Sequence, residues 1–533
     1  MKDFQDYIIT NLLAIKNSPF KAAALAFLGG ILMGLTVAPV NAWFLAWIAL
    51  APLWFLVVNQ KPAGKLFHFR SLVLNPALWW GLGYHGVGLF WMMGIRAMSW
   101  LGVPWLASLG IALFCWTFIT FWGAFLVITW AMFARRIFAQ IPQPIIRVLI
   151  GTALWCGLEN FWSSGILWWT SLAFTQSPAD LAILHLGQLS GTTAVTAAIV
   201  AVNGLIAEVI QIKVNREQVE KYTINYNYLK IATGLLVSLH LIGFLLLSHP
   251  LNEDENTALK VGIIQGNIPN TIKMFADSRQ VALGNYTAGY LDLANQGVDA
   301  VLIPETALPF FLPELERSPF YQAILAKGVV AWTGAYGERD LSYTNSLFTI
   351  AGNGQVLSRY DKVKLVALGE YIPFSEILGK FISSLSPLNA EMIAGTENQV
   401  FDTPFGRAIV GICYESAFSE HFRRQTAAGG EFILTASNNA HFSAAMPAQH
   451  HAQDVMRAIE SDRWAVRATN TGYSGIVDPH GRTLWISGIN TYEIHAQKIY
   501  RRQSQTLYVR WGDWLAPLLL GLSFVGGLWA KFY

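Results

Sequence analysis

Long apolar stretches dominate the first half of the chain and its C-terminal end. Crossing about 30 Å of hydrocarbon takes about 20 mostly apolar residues, because backbone groups in lipid must hydrogen-bond within their own helix. Stretches of this kind predict eight membrane spans: Ala22–Pro39, Trp43–Val58, Leu72–Gly94, Trp105–Phe133, Ile145–Trp162, Leu181–Ile210, Ile231–Ser248 and Trp514–Ala530. The pattern therefore predicts a polytopic α-helical bundle with seven spans in residues 1–248 and an eighth span in residues 514–533.

Residues 249–513 follow a different pattern, in which short apolar runs alternate with amphipathic segments and turn signals. Short apolar runs between turn signals predict strands, and helical periodicity predicts helices. The predicted strands are Ala258–Gln265, Ala300–Ile303, Val329–Gly334, Asn345–Ile350, Ala408–Cys413 and Phe432–Ser437, and the predicted helices are Val281–Gln296 and Ala448–Ser461. We expect an α/β or α+β domain here, large enough to have its own core.

Charge separates the two regions further. Charged residues make up 13% of the 533 residues, about half of the roughly 25% usual in soluble proteins. The first 250 residues carry a net charge of +7, whereas residues 251–513 carry −5. This composition excludes a purely soluble, fibrous or disordered protein, and the mildly acidic second region argues against a nucleic-acid partner.

The basic residues also predict an orientation. Of the 15 Lys and Arg residues in the predicted loops and ends of the bundle, 14 fall on one side, and Arg96 alone falls on the other. Because Lys and Arg accumulate in cytoplasmic loops, both termini are expected in the cytoplasm. Residues 249–513 should then lie on the opposite side of the membrane.

Three polar side chains follow or end apolar runs of the predicted α/β domain. Glu305 follows Val-Leu-Ile-Pro, Lys362 lies with Lys364 on one face of an alternating stretch, and Cys413 ends a strand in Gly-Ile. Singly, these residues could be a helix cap, a solvated lysine and a buried thiol. Together they suggest nucleophilic chemistry, because a thiol reacts as its thiolate, which a neighbouring base and a fixed cation produce and stabilise.

The order Glu305, Lys362, Cys413, in the contexts LIPETA, RYDKVKL and GICYES, resembles the Glu-Lys-Cys triad of the nitrilase superfamily. With the eight predicted spans, the chain is similar to the membrane-embedded branch of that superfamily, the bacterial apolipoprotein N-acyltransferases. Further segments look like that family's: 265–269 (QGNIP), 369–374 (GEYIPF), 437–439 (SNN) and a membrane motif from Leu154 through Glu159 to Trp168. The chain departs from the family at Met274 and at His441, where Trp is common.

The resemblance implies an αββα sandwich for residues 249–513. It also implies transfer of an acyl chain from a membrane phospholipid to the α-amino group of the N-terminal diacylglyceryl-cysteine of an apolipoprotein, the final step of lipoprotein maturation. Glu305 would be the general base, Lys362 the oxyanion stabiliser and Cys413 the nucleophile that carries the acyl chain as a thioester. No cofactor is implied, and we expect a monomer in the bacterial inner membrane with its catalytic domain on the periplasmic side.

Several other residues are candidates for supporting roles. Glu370 and Glu415 are candidates for orienting Lys362 or Glu305, although each could equally be a solvated or salt-bridged carboxylate. Backbone N–H groups near Tyr414 are candidates for stabilising an oxyanion.

On the outer side of the bundle, Arg96 and Trp168 are candidate lipid contacts. A tryptophan there could instead be an interfacial anchor. Glu159 lies within or at the edge of a span, where an ionisable group is either functional or hydrogen-bonded between helices.

Two other functions fit parts of the pattern. A membrane-tethered nitrilase-type amidase would use the same triad, with water in place of the amine acceptor. A transporter with an accessory domain would need paired charges or broken helices at mid-depth, and apart from Glu159 the predicted spans offer almost none. His441, His450 and His451 lack zinc-ligand spacing, so no metal is expected.

Overall fold

The computed structural model describes residues 18–60, 73–96, 103–216, 227–251, 253–268, 276–340, 342–367, 369–371, 392–440 and 442–532. The first half of the described chain is helical. Its α-helices are Pro19–Gly34, Ala46–Ala49, Ala51–Asn59, Pro76–Gly88, Trp105–Phe138, Pro144–Ser164, Leu181–Leu184, Gly187–Ser190, Thr192–Arg216 and Asn227–Leu247, with 3-10 segments at Trp43–Leu45, Phe90–Arg96 and Leu172–Thr175. A last helix, Leu515–Phe532, packs against Pro144–Ser164.

Glycines bring the first helices of the bundle into close contact. A Cβ added at Gly30 would lie 2.1 Å from the carbonyl oxygen of Trp80, and one at Gly83 would lie 2.7 Å from that of Phe27. Small residues permit this backbone approach between helices in a bilayer. Helix Pro19–Gly34 therefore depends on its glycines to pack against helix Pro76–Gly88.

The eight predicted spans correspond to helices of unequal length. Those long and apolar enough to cross a membrane, among the described residues, are Trp105–Phe138, Thr192–Ile212, Asn227–Leu247 and Leu515–Phe532, and shorter apolar helices are Pro19–Gly34, Trp43–Asn59 and Leu181–Ser190. The prediction of one continuous helix over Leu181–Ile210 is wrong, because the chain turns at Gly191, which has a φ of 63°. A Cβ at Gly191 would lie 2.7 Å from the Tyr508 ring, so only glycine fits that turn. The total of eight spans stays a prediction.

The second half contains two β-sheets. Within the described residues its strands are β1 Ala258–Gln265, β2 Ala300–Leu302, β3 Val330–Arg339, β4 Ser342–Ile350, β5 Val356–Asp361, β6 Phe401–Thr403, β7 Gly406–Ile412, β8 Phe432–Ser437, β9 Ala465–Thr469, β10 Gly475–Val477, β11 Thr483–Ile486 and β12 Glu493–Tyr500. One sheet has the order β12-β1-β2-β3-β4-β5 and the other β11-β10-β9-β8-β7-β6. β1, β2 and β3 are parallel to one another, as are β7, β8 and β9.

Apolar side chains from both sheets form one core between them. Trp332 and Leu347 from the first sheet pack with Val410, Leu434 and Val466 from the second. The outer faces carry helices: Ala276–Asn295, Leu312–Leu315 and Pro319–Lys327 on the first sheet, and Ser419–Ala427 and Ala445–Ser461 on the second. The predicted α/β domain with two stacked sheets and outer helices is therefore confirmed.

Helix Ala445–Ser461 joins this domain to the helical bundle. Its residues Met446, Val455 and Met456 belong to the same apolar core as Trp169 and Phe174 of the bundle. Nearly all of its side chains are buried, polar ones included, because the second sheet covers one side of the helix and the bundle covers another. The domain thus rests on the bundle through one of its own core helices, close to the loop that carries Trp168.

The predicted strands agree with the structure where apolar runs are long. Strands Ala258–Gln265 and Phe432–Ser437 match residue for residue, and the other four predicted strands overlap β2, β3, β4 and β7. The placement of Lys362 and Lys364 on one face of a strand is wrong, because β5 ends at Asp361. Lys362 is buried beyond that end, whereas the Nζ of Lys364 lies 3.7 Å from Oε1 of Glu397 at a partly exposed position.

Candidate active site

Glu305, Lys362 and Cys413 are brought together by the ends of three strands. Glu305 follows β2, where Ile303 donates to the Trp332 carbonyl at 3.0 Å and Pro304 then lacks a donor to continue the ladder. Lys362 directly follows β5, and Cys413 directly follows β7. All three side chains are buried, so the charges of Glu305 and Lys362 act on their surroundings with little screening by water.

Lys362 lies between two carboxylates. Its Nζ donates to Oε1 of Glu305 at 2.9 Å and to Oε1 of Glu370 at 2.8 Å. Burial acts to lower the pKa of Lys362, but the charges of Glu305 and Glu370 raise that pKa well above its ordinary value. Lys362 is therefore a fixed cation, and Glu370 is salt-bridged to it rather than solvated.

A buried amide completes this arrangement. Nδ2 of Asn345, in β4, donates to Oε1 of Glu305 at 2.7 Å and to Oε1 of Glu370 at 3.1 Å. Thr306 donates to the Asn345 Oδ1 at 3.2 Å, which orients the amide. Asn345 was not predicted as a site residue, although a Thr-Asn-Ser run inside a buried strand was the available signal in the sequence.

The Cys413 backbone is in the left-handed region, with a φ of 54°. This conformation is costly for a residue with a Cβ and occurs often at functional sites. Burial, and next the Glu305 charge, raise the pKa of the Cys413 thiol to about 12, while Lys362 and a backbone hydrogen bond with Asn438 act to lower it. The thiol is thus protonated at neutral pH.

Glu415 holds the backbone next to Lys362 and the backbone next to Cys413 by hydrogen bonds. Its carboxylate is fully buried and accepts from the backbone N–H of Val363 at 2.6 Å, of Lys364 at 3.1 Å and of Ile412 at 2.7 Å. Tyr360 adds a hydroxyl donor at 3.0 Å. Glu415 therefore acts on the backbone beside both residues rather than on the Lys362 or Glu305 side chain.

Tyr414 connects the site to the helical bundle. Its hydroxyl accepts from the backbone N–H of Trp168 at 2.9 Å and donates to the carbonyl of Ile166 at 2.9 Å. The Trp169 ring stacks on Tyr414, with centroids 6.2 Å apart and planes 8° apart. The loop between helices Pro144–Ser164 and Leu181–Leu184 thus lies directly against the residue that follows Cys413.

The remaining predicted residues are placed as follows. Trp168 is buried, and the backbone of Arg96 ends the 3-10 segment Phe90–Arg96, while the Arg96 side chain lies outside the described residues. A lipid contact for either residue stays a prediction. Met274 and His441 also lie outside the described residues.

Glu159 is held between helices. It accepts from Ser171 Oγ at 2.5 Å, Thr196 Oγ1 at 2.9 Å and Trp155 Nε1 at 3.2 Å. Of the two alternatives predicted for Glu159, these contacts match hydrogen bonding between helices. Because Ser171 closely follows Trp168, Glu159 also fixes the loop that contacts Tyr414.

Within the part of the chain that the structure describes, no group of three or more His, Cys, Asp or Glu side chains is placed to hold a metal ion. The side-chain oxygens of Glu305 and Glu370 instead accept hydrogen bonds from Lys362 and Asn345.

Comparison with known proteins identifies the class of protein to which this fold belongs. Residues 260–501 match the family model of carbon-nitrogen hydrolases, and residues 29–205 match that of the apolipoprotein N-acyltransferase N-terminal domain. The second half of the chain is thus a carbon-nitrogen hydrolase domain, that is, a nitrilase-like domain.

The full-length relatives narrow this class. The apolipoprotein N-acyltransferase of Nostoc sp. is 62% identical over 93% of this chain and 96% of its own length, and that of Synechocystis sp. is 47% identical over 93% and 98%. The chain belongs to the apolipoprotein N-acyltransferase family. Among solved structures, a nitrilase-superfamily amidase from Nesterenkonia is 17% identical, with 51% of this chain and 99% of that chain covered and a TM-score of 0.38.

Proposed function

We propose that this protein transfers an acyl chain from a membrane phospholipid to the α-amino group of the N-terminal diacylglyceryl-cysteine of apolipoproteins. Family membership at 62% identity over 93% of the chain carries this proposal. The buried cluster of Glu305, Lys362 and Cys413 supports it, because acyl transfer requires a nucleophile, a base and a site that stabilises an oxyanion.

In the first step Glu305 removes the thiol proton and Cys413 Sγ attacks the phospholipid ester carbonyl. Lys362 and the Tyr414 backbone N–H stabilise the tetrahedral oxyanion that forms. The ester C–O bond then breaks, and the lyso-phospholipid leaves as an alcohol after taking the proton from Glu305. A thioester remains on Cys413. The Cys413 pKa of about 12 supports a base that acts at the moment of attack rather than a resting thiolate.

In the second step the α-amino group of the acceptor attacks the thioester carbonyl. Glu305 accepts a proton from the attacking amine, and the same groups stabilise the second oxyanion. The C–S bond breaks and the Cys413 thiolate takes the proton from Glu305, which restores the resting enzyme and releases the N-acylated lipoprotein. Glu370 and Asn345 both contact Glu305 or Lys362, which supports a role for them in holding these two groups in register.

The architecture that we propose places this site at the outer surface of the membrane. Residues 1–248 form seven spans, residues 249–513 the catalytic domain on the periplasmic side, and residues 514–533 the eighth span. Both termini lie in the cytoplasm, and the enzyme is a monomer without a cofactor in the inner membrane. The distribution of 14 basic residues on one side and one on the other supports this topology.

The test is the fate of a radiolabelled acyl chain. Purified protein is incubated with vesicles of acyl-labelled phosphatidylethanolamine, with or without a synthetic diacylglyceryl-cysteine peptide. We expect label on the peptide amine with the wild type, and a loss of at least about 1000-fold for Cys413→Ala. Release of ammonia from a small amide offered in a parallel assay, without any labelling of the peptide, would favour the amidase and overturn the proposal.

A further inference from the structure

His450 lies directly behind the nucleophile, in helix Ala445–Ser461. It is fully buried, and its Nε2 lies 2.6 Å from the carbonyl oxygen of Cys413. Its Nδ1 lies 3.2 Å from Nδ2 of Asn439. A carbonyl can only accept and an amide nitrogen can only donate, so Nε2 carries the hydrogen and Nδ1 accepts. The contacts therefore define one neutral tautomer of His450.

Surrounding groups keep His450 in that neutral form. Burial, and next the charge of Arg467, lower the pKa of His450 well below its ordinary value, and the hydrogen bond to Cys413 opposes this shift only in part. The imidazole is therefore a steady donor to Cys413 across neutral pH rather than a group that exchanges protons.

This hydrogen bond controls a particular peptide plane. The Cys413 carbonyl and the Tyr414 N–H belong to the same trans peptide, so they point in opposite directions. A donor that fixes the carbonyl on one side fixes the direction of the N–H on the other side. That N–H is the backbone donor of the oxyanion site in the proposed mechanism.

The plane needs such support because Cys413 is strained. Its φ of 54° is unfavourable for a residue with a Cβ, so the backbone would relax if it were free to turn. On the N-terminal side of Cys413, Glu415 holds the Ile412 N–H at 2.7 Å. On the C-terminal side, His450 holds the carbonyl. The left-handed residue is thus held on both sides.

The helix that carries His450 is fixed to the bundle by its neighbour. Gln449 accepts from Trp169 Nε1 at 2.7 Å and donates to the carbonyl of Gly88 at 2.8 Å. The Trp169 ring also lies 5.6 Å from the His450 ring. Contacts with the bundle therefore help to set the position from which His450 reaches Cys413.

We propose that His450 is a positioning residue that orients the Cys413–Tyr414 peptide, so that the Tyr414 N–H points at the oxyanion of the acyl-transfer reaction. This inference rests on the proposed function, because it needs a reaction that forms an oxyanion at Cys413. It assigns His450 no proton transfer and no contact with substrate.

Three substitutions separate the hydrogen bond from the rest of the side chain. In His450→Gln the amide nitrogen occupies about the position of Nε2 and can still donate to Cys413. In His450→Asn the amide is too short to reach that carbonyl, and His450→Leu has no donor. His451→Leu is the matched control, because His451 is a neighbouring buried histidine whose Nε2 lies 2.8 Å from Thr483 Oγ1 instead.

Two rates are measured on each variant, with Cys115 and Cys156 replaced by serine. The first is acyl-enzyme formation from a p-nitrophenyl acyl ester, which passes through an oxyanion and does not depend on the natural acceptor. The second is alkylation of Cys413 by iodoacetamide, which forms no oxyanion. Losing an oxyanion donor outright costs about 100- to 1000-fold in rate. We therefore expect acylation to fall about 10- to 100-fold in His450→Asn and His450→Leu, with a lower kcat and an unchanged KM.

Alkylation should stay within about threefold of the wild-type rate in the same variants, and His450→Gln and His451→Leu should acylate within about threefold. Equal loss of acylation and alkylation would indicate a general disturbance of the fold and overturn the inference. An acylation rate equal to that of the wild type in His450→Asn, or complete loss of acylation in a folded His450→Gln, would also overturn the inference. Failure of the wild type to label the lipoprotein peptide would count against the proposed function alone. The ester assay measures formation of the acyl-enzyme, which is the same whether an amine or water later accepts the acyl chain.

Discussion

The protonation state of Cys413 offers a test in which two site substitutions should act in opposite directions. The pKa of the thiol is about 12, against an ordinary value of 9.0. At pH 8 about one Cys413 in 10,000 is then a thiolate, compared with about one in ten for an unperturbed thiol. The difference of about three pKa units corresponds to about 4 kcal/mol against ionisation.

The signs follow from the neighbouring charges. The Glu305 charge raises the pKa of Cys413 and the Lys362 charge lowers it. Glu305→Gln should therefore increase the thiolate fraction at pH 8, and Lys362→Met should decrease it. At an effective dielectric constant of about 20, a unit charge at a distance of about 5 Å would contribute about 3 kcal/mol, equivalent to about 150-fold, so we expect each change to reach about 100-fold.

The assay is alkylation of Cys413 by iodoacetamide, a neutral reagent, between pH 7 and 11 in protein whose other two cysteines are serine. The wild-type rate should rise about tenfold per pH unit without levelling off below pH 10. Glu305→Gln should alkylate faster than the wild type and Lys362→Met more slowly, although both lose acyl transfer. A wild-type plateau near pH 9, or faster alkylation in Lys362→Met, would refute the electrostatic account.

Two further predictions concern stability. Glu415→Gln puts an amide where the carboxylate accepts from the Ile412 N–H, and we expect a loss of about 2–4 kcal/mol, seen as a lower Tm in detergent; an unchanged Tm would contradict the assigned contacts. Gly30→Ala puts a methyl group 2.1 Å from the Trp80 carbonyl and should cost about 1–3 kcal/mol. Gly110→Ala, with nothing within 4 Å, is the control and should not lower Tm.

The sequence was most informative where the chain is simplest. Strands Ala258–Gln265 and Phe432–Ser437 are mostly apolar segments between turn signals, and their ends were predictable to the residue. Glu305 and Cys413 follow such runs, so their positions at strand ends could be predicted as well. Lys362 was predicted as a site residue from the RYDKVKL segment around it. The end of β5 was not predicted, because the alternating pattern continues past Asp361.

Contacts between distant segments could not be read in this way. The His450 contact with Cys413 joins residues 37 positions apart, and it arises only when helix Ala445–Ser461 docks on the second sheet. Helix lengths in the bundle were also misjudged. One apolar stretch is interrupted by a turn at Gly191. That turn leaves no room for a side chain beside Tyr508, and apolar composition gives no sign of this packing.

In the proposed mechanism Cys413 carries the acyl chain between the phospholipid and the amine. The most direct measurement is intact and peptide mass spectrometry of the protein after incubation with phospholipid vesicles and no acceptor. We predict one acyl chain per protein, located on Cys413, removed by hydroxylamine, transferred to a diacylglyceryl-cysteine peptide added later, and missing in Cys413→Ala. Transfer to the peptide without any acyl adduct on Cys413, or an adduct that persists in Cys413→Ala, would contradict it.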